Sequence, residues 1–360
     1  MTKTKICLVI PSLQAGGMER VLSELINQFV QKEGLEIHLV LYGIKRDIFY
    51  PVPEGVIIHK PQFEFNNSTR LISTIRTLFF LRKTIKNINP VSVLSFGELW
   101  NNFVLLSLIG TEIPVVVSDR CQPDKSLGIF HDFLRKRLYK RASTIVCQTK
   151  TAKEIYQHNL GGLSYEVIGN PIREVKSIGP IKNENIVLSV GRLIASKNFD
   201  QLISIFARVD DPDWKMVIVG DDALNQKNRP QLERQIKELK LEGRVILAGK
   251  QKDVDAYYNQ ASIFAFTSSS EGFPNVVGEA MSAGLPVVAY DCVAGPTDLI
   301  SNKQTGFLIP LHDQKKFEEK LKLLMENEVL REEFASNAKQ KIKAFEAAAI
   351  SEQFLNVLMR

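Results

Sequence analysis

The feature that most constrains this chain is an alternation running along its whole length: short, continuous apolar runs separated by stretches with helical periodicity. It opens with a strand-like run at 6–10, a helix over 18–31 and a strand at 36–41. The helix carries Val21, Leu22, Leu25, Ile26, Phe29 and Val30 at helical spacing. Further strands are expected at 91–96, 114–118, 144–148, 186–190, 215–219, 244–248, 262–267, 286–290 and 306–309, mostly with helices between them. These runs are apolar throughout, so both faces of each strand are covered. Parallel strands are in that position, because their crossover helices lie on the two sides of the sheet. The reading is an α/β chain built from doubly wound parallel sheets.

At 360 residues the chain exceeds one ordinary core, and two domains are expected. Periodicity lapses at Gly169-Asn170-Pro171 and through the polar stretch 173–185. The predicted organisation is a domain over 1–170, a second over 171–345, and a helix over 346–360 that packs back towards the first. Cys7, Cys121, Cys147 and Cys292 lie too far apart in sequence for a zinc or redox motif, and Cys7 and Cys147, inside apolar runs, read as small buried hydrophobes in a reducing compartment. The run at 6–10 is shorter than a signal-peptide core. No stretch approaches the roughly 18 apolar residues of a membrane span.

In open α/β sheets ligands bind beyond the carboxyl ends of the strands, which directs attention to the loops after strands 6–10, 114–118, 186–190 and 262–267. The last of these reads Ser268-Ser269-Ser270-Glu271-Gly272-Phe273-Pro274-Asn275-Val276-Val277-Gly278-Glu279 and leads into a short helix of about 275–283 closed by Gly284. The amides of Asn275, Val276 and Val277 are expected to be free at that helix start and to suit phosphate oxygens, with Gly272 allowing close approach. Glu279 could accept two hydrogen bonds from vicinal ribose hydroxyls, while Glu271 would face whatever lies beyond the phosphates. Either carboxylate alone reads as a solvated glutamate.

The loop Val190-Gly191-Arg192-Leu193-Ile194-Ala195-Ser196-Lys197-Asn198 follows strand 186–190. Arg192 and Lys197 could neutralise a leaving diphosphate, the charge that grows as a glycosidic bond to it breaks. Taken alone, this loop is an ordinary basic turn. After strand 6–10 come Gln14-Ala15-Gly16-Gly17-Met18-Glu19-Arg20, whose paired glycines at a helix start permit close approach to an anion or a sugar. They lack the three-glycine dinucleotide fingerprint and also read as a plain tight turn.

Glu271 and Glu279 separated by seven residues, the Gly-Phe-Pro-Asn between them, the Gly-Arg-Leu loop with its Lys-Asn, and Gly-Gly-Met-Glu-Arg near the start together resemble the retaining GT-B glycosyltransferases of family 4. The resemblance implies two Rossmann-like domains facing across a cleft. It also implies that Gly191, Arg192 and Lys197 hold a donor diphosphate, and that Glu279 holds the ribose. Glu271, with the backbone from Gly272 through Phe273, Pro274, Asn275 and Val276, would meet the transferred sugar. Gly16 and Gly17 would complete the donor side, Gly249 and Lys250 would border the nucleobase, and Gly295-Pro296-Thr297-Asp298 matches a further donor-side loop. Asp119, Arg120 and Arg20 fall on the acceptor side. Many members have a histidine where this chain has Arg120, so no histidine-assisted role carries over. Arg120 could instead contact a phosphate or simply pair with Asp119. The family reacts without a protein nucleophile, cofactor or DxD-type metal site, the co-substrate being a nucleotide sugar, here expected to be UDP-linked.

Residues 1–170 hold 21 Lys and Arg against 14 Asp and Glu, whereas 171–360 hold 25 against 26, so the net positive charge lies in the first half. Segment 68–88 reads as a helix with Arg70, Arg76, Arg82, Lys83 and Lys86 beside Leu71, Ile72, Ile75, Leu78, Phe79 and Ile85. Segment 129–141 sets Phe130, Phe133, Leu134 and Leu138 beside Arg135, Lys136, Arg137, Lys140 and Arg141. Such basic amphipathic helices fit either a core-facing apolar stripe with a solvated basic face or docking on anionic lipid heads. No nucleic-acid motif accompanies them. The expected function is transfer of a hexose or N-acetylhexosamine to a polyprenyl-diphosphate-linked glycan at the inner face of the cell membrane by a cytoplasmic, bacterial-type enzyme. A transferase acting on a soluble acceptor and a sugar-nucleotide epimerase are the alternatives.

Overall fold

The computed structural model describes residues 3–43, 48–176, 184–223 and 225–360, so residues 177–183 of the polar stretch lie outside the described residues. The chain divides into two units, one made of Met1–Pro171 with Ala347–Arg360 and the other of Ile172–Glu346.

The first unit is built on β1 (Thr4–Ile10), β2 (Leu35–Leu41), β3 (Ile57–His59), β4 (Ser92–Phe96), β5 (Val115–Ser118), β6 (Thr144–Cys147) and β7 (Tyr165–Val167). All pairings are parallel and the order is β3-β2-β1-β4-β5-β6-β7. Its helices are α1 (Gly17–Phe29), α2 (Arg70–Ile88), α3 (Glu98–Ser107), α4 (Ile129–Leu138) and α5 (Lys150–Leu160). Ile6 to Ile10 are fully buried, as a central strand covered on both faces requires.

The second unit carries β8 (Ile186–Val190), β9 (Lys215–Val219), β10 (Val245–Gly249), β11 (Ile263–Phe266), β12 (Val287–Asp291) and β13 (Gly306–Pro310) in the order β10-β9-β8-β11-β12-β13, again all parallel. It is covered by α6 (Phe199–Val209), α7 (Arg229–Glu238), α8 (Asp255–Gln260), α9 (Asn275–Ala283), α10 (Gln314–Glu326) and α11 (Glu328–Ile342). The last helix, α12 (Ala347–Leu358), belongs to the first unit, where it packs on α1 and sets Phe354 against Phe96 with ring centroids 6.1 Å apart.

Topology alone places the candidate loops. In each sheet the strand order reverses between two neighbouring strands, β1 and β4 in one, β8 and β11 in the other, and the loops leaving such a pair diverge and open a crevice at the carboxyl edge. In the second unit those are the two loops that carry Arg192 with Lys197 and Glu271 with Gly272.

Two sequence expectations about the basic helices are corrected. Along α2 the buried positions are Ser73, Thr77, Leu81, Ile85 and Ile88, whereas Leu71, Ile72, Ile75 and Phe79 are exposed, Phe79 at 68%. The apolar residues of the first half of α2 thus point outward, and the polar inner face is satisfied locally. Ser73 Oγ donates to the Asn66 carbonyl at 3.2 Å and Thr77 Oγ1 to the Ser73 carbonyl at 2.8 Å. In α4, Ile129, Phe130 and Phe133 are likewise exposed. Arg135, by contrast, leaves the basic face and is buried at 8%, because it pairs with Asp119. The Asp119 carboxylate also accepts from Tyr139 Oη at 2.6 Å and from Asn101 Nδ2 at 2.9 Å. The Asp119–Arg120 salt bridge considered from sequence is therefore not formed. Asp119 has a side chain only 1% exposed.

Candidate active site

The loops of the second unit that were expected to meet a diphosphate are held largely by backbone hydrogen bonds. The Gly191 amide donates to the Val219 carbonyl at 2.9 Å, and β9 is followed by Gly220, with φ at +146°. A Cβ there would lie 1.8 Å from the Gly191 carbonyl oxygen, so the close approach of the two strand ends requires glycine. Gly220 also donates to the Gly249 carbonyl at 3.0 Å, which brings the end of β10 alongside. Gly249 is therefore part of this edge, with Lys250 exposed beyond it.

The two switch-point loops are tied together. Asn198, in the left-handed region at φ 51°, donates from Nδ2 to the Thr267 carbonyl at 2.8 Å. Thr267 Oγ1 donates to the Lys197 carbonyl at 2.8 Å, and the Ser269 amide to the Ser196 carbonyl at 2.8 Å. On this frame Lys197 Nζ lies 2.6 Å from Glu271 Oε1, with the two side chains 14% and 15% exposed. The lysine stem runs past Gly191, where a Cβ would sit 3.3 Å from Lys197 Cε. Arg192 is exposed at the same edge. Lys197 and the predicted carboxylate thus occupy one site, with Arg192 on the same loop as Lys197.

The helix that follows starts differently from the expectation. Pro274 is the N-cap of α9, the Asn275 amide donates to the Phe273 carbonyl and the Val277 amide to the Pro274 carbonyl, each at 3.0 Å. A tightened first turn thereby uses two of the three amides expected to be free, and Val276 alone has no backbone acceptor among the described residues. Phe273 and Pro274 are buried, Phe273 against Phe345 at 6.0 Å, so their side chains shape the loop from the core side. Glu279 is only 7% exposed. Its Oε2 accepts from Tyr258 Oη at 3.2 Å and its Oε1 lies 3.5 Å from Arg173 Nε. Arg173 Nη1 is anchored 2.5 Å from Asp255. Burial and the Glu279 charge push the Tyr258 hydroxyl well above its ordinary pKa, so it remains a donor. Tyr258 and Arg173 were not found by sequence reasoning, Arg173 falling in the polar stretch 173–185.

In the first unit, the diglycine starts α1, with Gly16 as N-cap in extended backbone at φ −167°. A Cβ on Gly16 would lie 2.2 Å from Glu19 Oε2, so the Glu19 carboxylate folds back over the helix start, with its pKa raised by burial. The anion position expected at Gly16-Gly17 is therefore next to the chain's own carboxylate. Tyr50 Oη donates to the Gly16 carbonyl at 3.1 Å, and the Arg20 amide to the same carbonyl at 3.0 Å.

Arg120 follows β5 at the carboxyl edge. Its amide donates to Glu98 Oε1 at 2.5 Å, and the Cys121 amide donates to the same oxygen. Its Nη1 donates to Asn170 Oδ1 at 2.5 Å, and Asn170 Oδ1 also accepts from Gln148 Nε2 at 2.8 Å. The guanidinium lies 4.2 Å from the Phe96 ring centroid and 5.6 Å from that of Phe354. Nε and Nη2 are buried without a partner among the described residues, and burial lowers the Arg120 pKa to about 9. A cation desolvated in this way with spare donors suits an anionic oxygen.

With the geometry known, comparisons place the chain. Residues 15–174 match the family model described as Glycosyltransferase Family 4, and residues 172–341 the model described as Glycosyl transferases group 1. An alpha-1,4-N-acetyl-D-galactosaminyltransferase of Campylobacter jejuni, named for an undecaprenol-diphosphate-linked glycan, is 26% identical over 361 residues, covering 98% of each chain. The amylovoran biosynthesis glycosyltransferase AmsD of Erwinia amylovora is 28% identical, covering 98% of this chain and 99% of its own. Among solved structures, the lipopolysaccharide outer core galactosyltransferase WaaB superposes with a TM-score of 0.81 at 20% identity, covering 99% of both chains. HepE of Anabaena, solved with UDP, gives 0.82 at 19% identity with the same coverage. Two Rossmann-like parallel-sheet units with these structural neighbours define the fold class as α/β of the GT-B type. The chain belongs to the GT-B glycosyltransferases of family 4.

Proposed function

We propose that this glycosyltransferase moves a hexose or N-acetylhexosamine from a UDP-sugar to a polyprenyl-diphosphate-linked glycan, with retention of anomeric configuration and without a metal ion. The observation that carries the reading is that two laced loops set Lys197 against Glu271 at one edge of the sheet, with Arg192 on the same loop as Lys197, so that two cations are available to a departing diphosphate and a carboxylate to the sugar. The acceptor hydroxyl oxygen forms the new bond to the anomeric carbon on the face from which the diphosphate leaves, and its proton passes to a departing diphosphate oxygen. Arg192 and Lys197 stabilise the growing charge, Glu271 and the backbone from Gly272 to Val276 orient the sugar, and Glu279, braced by Tyr258 and Arg173, takes the ribose. Gly249 and Lys250 border the base. Arg120, with its unpartnered donors, takes a phosphate oxygen on the acceptor side, to which Arg20 is also assigned.

Support for the acceptor comes from the Campylobacter relatives, named for undecaprenol-linked glycans, and support for UDP from the HepE complex. The test is a panel of nucleotide sugars with a polyprenyl-diphosphate disaccharide, following product mass and the anomeric configuration by NMR. Transfer that proceeds equally well to lipid-free glycan, or conversion of donor with no acceptor present, would replace this reading by the soluble-acceptor transferase or the epimerase.

Peripheral docking on the inner face of the membrane is part of the same proposal. No helix among the described residues is long and apolar enough to cross a membrane. However, α2 and α4, both neighbours of α3, present Leu71, Ile72, Ile75, Phe79, Ile129, Phe130 and Phe133 outward beside exposed Arg70, Lys83, Lys86, Lys136 and Arg137. Outward apolar side chains ringed by cations suit the headgroup boundary of an anionic bilayer. Burying one such side chain contributes about 1.5–3 kcal/mol, so serine at Leu71, Phe79 and Phe130 together should lower partition onto phosphatidylglycerol vesicles more than about tenfold. Co-sedimentation unchanged by that triple substitution would remove α2 and α4 from the docking surface.

A further inference from the structure

We infer that Trp100 is a stacking platform for a pyranose ring of the acceptor glycan, an inference that rests on the acceptor class proposed above. Trp100 lies in the first turn of α3, just beyond the carboxyl end of β4, and is 39% exposed. Its position is built. Tyr42 meets it edge-on at 6.1 Å and 77°, and Tyr42 is itself stacked on Phe103 at 6.0 Å and 1°. Behind it is Gly97, at φ +93°, where a Cβ would lie 3.0 Å from Trp100 Cδ1 and 2.9 Å from Met18 Sδ. Only a glycine lets the indole and the methionine close on the backbone there. The Gly97 amide is tied to the Ser118 carbonyl at 2.9 Å, which fixes the loop to β5.

An aromatic ring fixed in this way, yet open to solvent at a sheet's ligand edge, offers a flat apolar face at little cost in side-chain entropy. The choice of a sugar over a hydrocarbon chain follows from the neighbours. Glu98, two residues from Trp100, holds the Arg120 and Cys121 amides, so the loop after β5 that carries Arg120 is tied to the same first turn of α3 as the indole. A pyranose presents C–H groups to a ring on one face and hydroxyls to polar groups around its rim, which is the combination found here. Side chains suited to hydrocarbon lie on α2 and α4 instead.

The sequence makes the test convenient, because the only other tryptophan is Trp214, 3% exposed. Acrylamide-quenchable emission of the full chain therefore reports on Trp100. The expected result is that a short-chain polyprenyl-diphosphate disaccharide protects this emission while the same prenyl diphosphate without sugar does not. Trp100→Ala should raise the acceptor KM about tenfold or more, Trp100→Phe should recover part of the loss, and the donor KM should stay unchanged in both. Protection by the bare prenyl diphosphate, or an unchanged acceptor KM in a normally folded Trp100→Ala protein that still transfers to the lipid-linked glycan, would overturn the inference alone. Transfer by the wild type exclusively to lipid-free glycans would overturn the lipid-linked reading, and a Trp100 effect on KM for those glycans would still uphold the platform.

Discussion

Replacing Lys197 by alanine is expected to lower turnover about 10²–10³-fold, the usual loss when one preorganised group stabilising transition-state charge is removed. The argument combines position and partner. Lys197 is carried on a loop whose backbone is fixed to the neighbouring loop through Thr267 and Ser269, so its ammonium is aimed by the scaffold. Its contact with Glu271 at 2.6 Å places it at the same spot as the carboxylate assigned to the sugar. Stability should change little, because both side chains reach solvent at the sheet edge and Glu271 can be hydrated once the lysine is gone. Arg192→Ala should give a smaller loss, since that side chain is exposed and less constrained. Steady-state kinetics alongside a thermal melt decide the matter: turnover within a factor of two of wild type at an unchanged melting temperature would remove Lys197 from the mechanism.

The second large effect is on folding. Asp119→Ala is expected to destabilise the first unit by about 3–5 kcal/mol, because it strands the buried Arg135 charge. Asp119 is 2% exposed and is the acceptor for Arg135, Tyr139 and Asn101 together. Pairing Asp119→Leu with Arg135→Met removes both charges and should restore much of the loss, as exchange of a buried ion pair for apolar volume often does. Chemical denaturation of the single and double variants checks this. A single variant that melts like wild type would show that Asp119 contributes nothing through Arg135.

Much of the architecture was legible because parallel strands buried on both faces leave an unambiguous apolar signature. All eleven strands expected from that signature are present, with ends displaced by no more than two residues. The two overlooked strands, β3 and β7, have three residues each and lie at the sheet edges, where burial and hence pattern are weakest. The loop pair carrying Arg192, Lys197 and Glu271 was legible since topology forces loops from adjacent switch-point strands together. What sequence could not give was side-chain pairing. Asp119 and Arg120 are chain neighbours, yet along β5 and its continuation consecutive side chains point to opposite sides, so Asp119 meets α4 and Arg120 meets Phe96. For the same reason Arg135 looked like part of a solvated basic face. The amides at the start of α9 were misjudged because a tightened turn depends on backbone angles that Pro274 sets, not on composition.

The placement of α12 bears on how the molecule comes into being. Its Phe354 completes the covering of Phe96 in the first unit, yet it is encoded after all of Ile172–Glu346. A ribosome adding roughly 5–20 residues per second thus emits the whole second unit before the first can close, a delay on the order of ten seconds or more. During that interval the nascent amino-terminal half carries an apolar scar where α12 will later sit, and is the part of the newborn chain most in need of chaperone shelter.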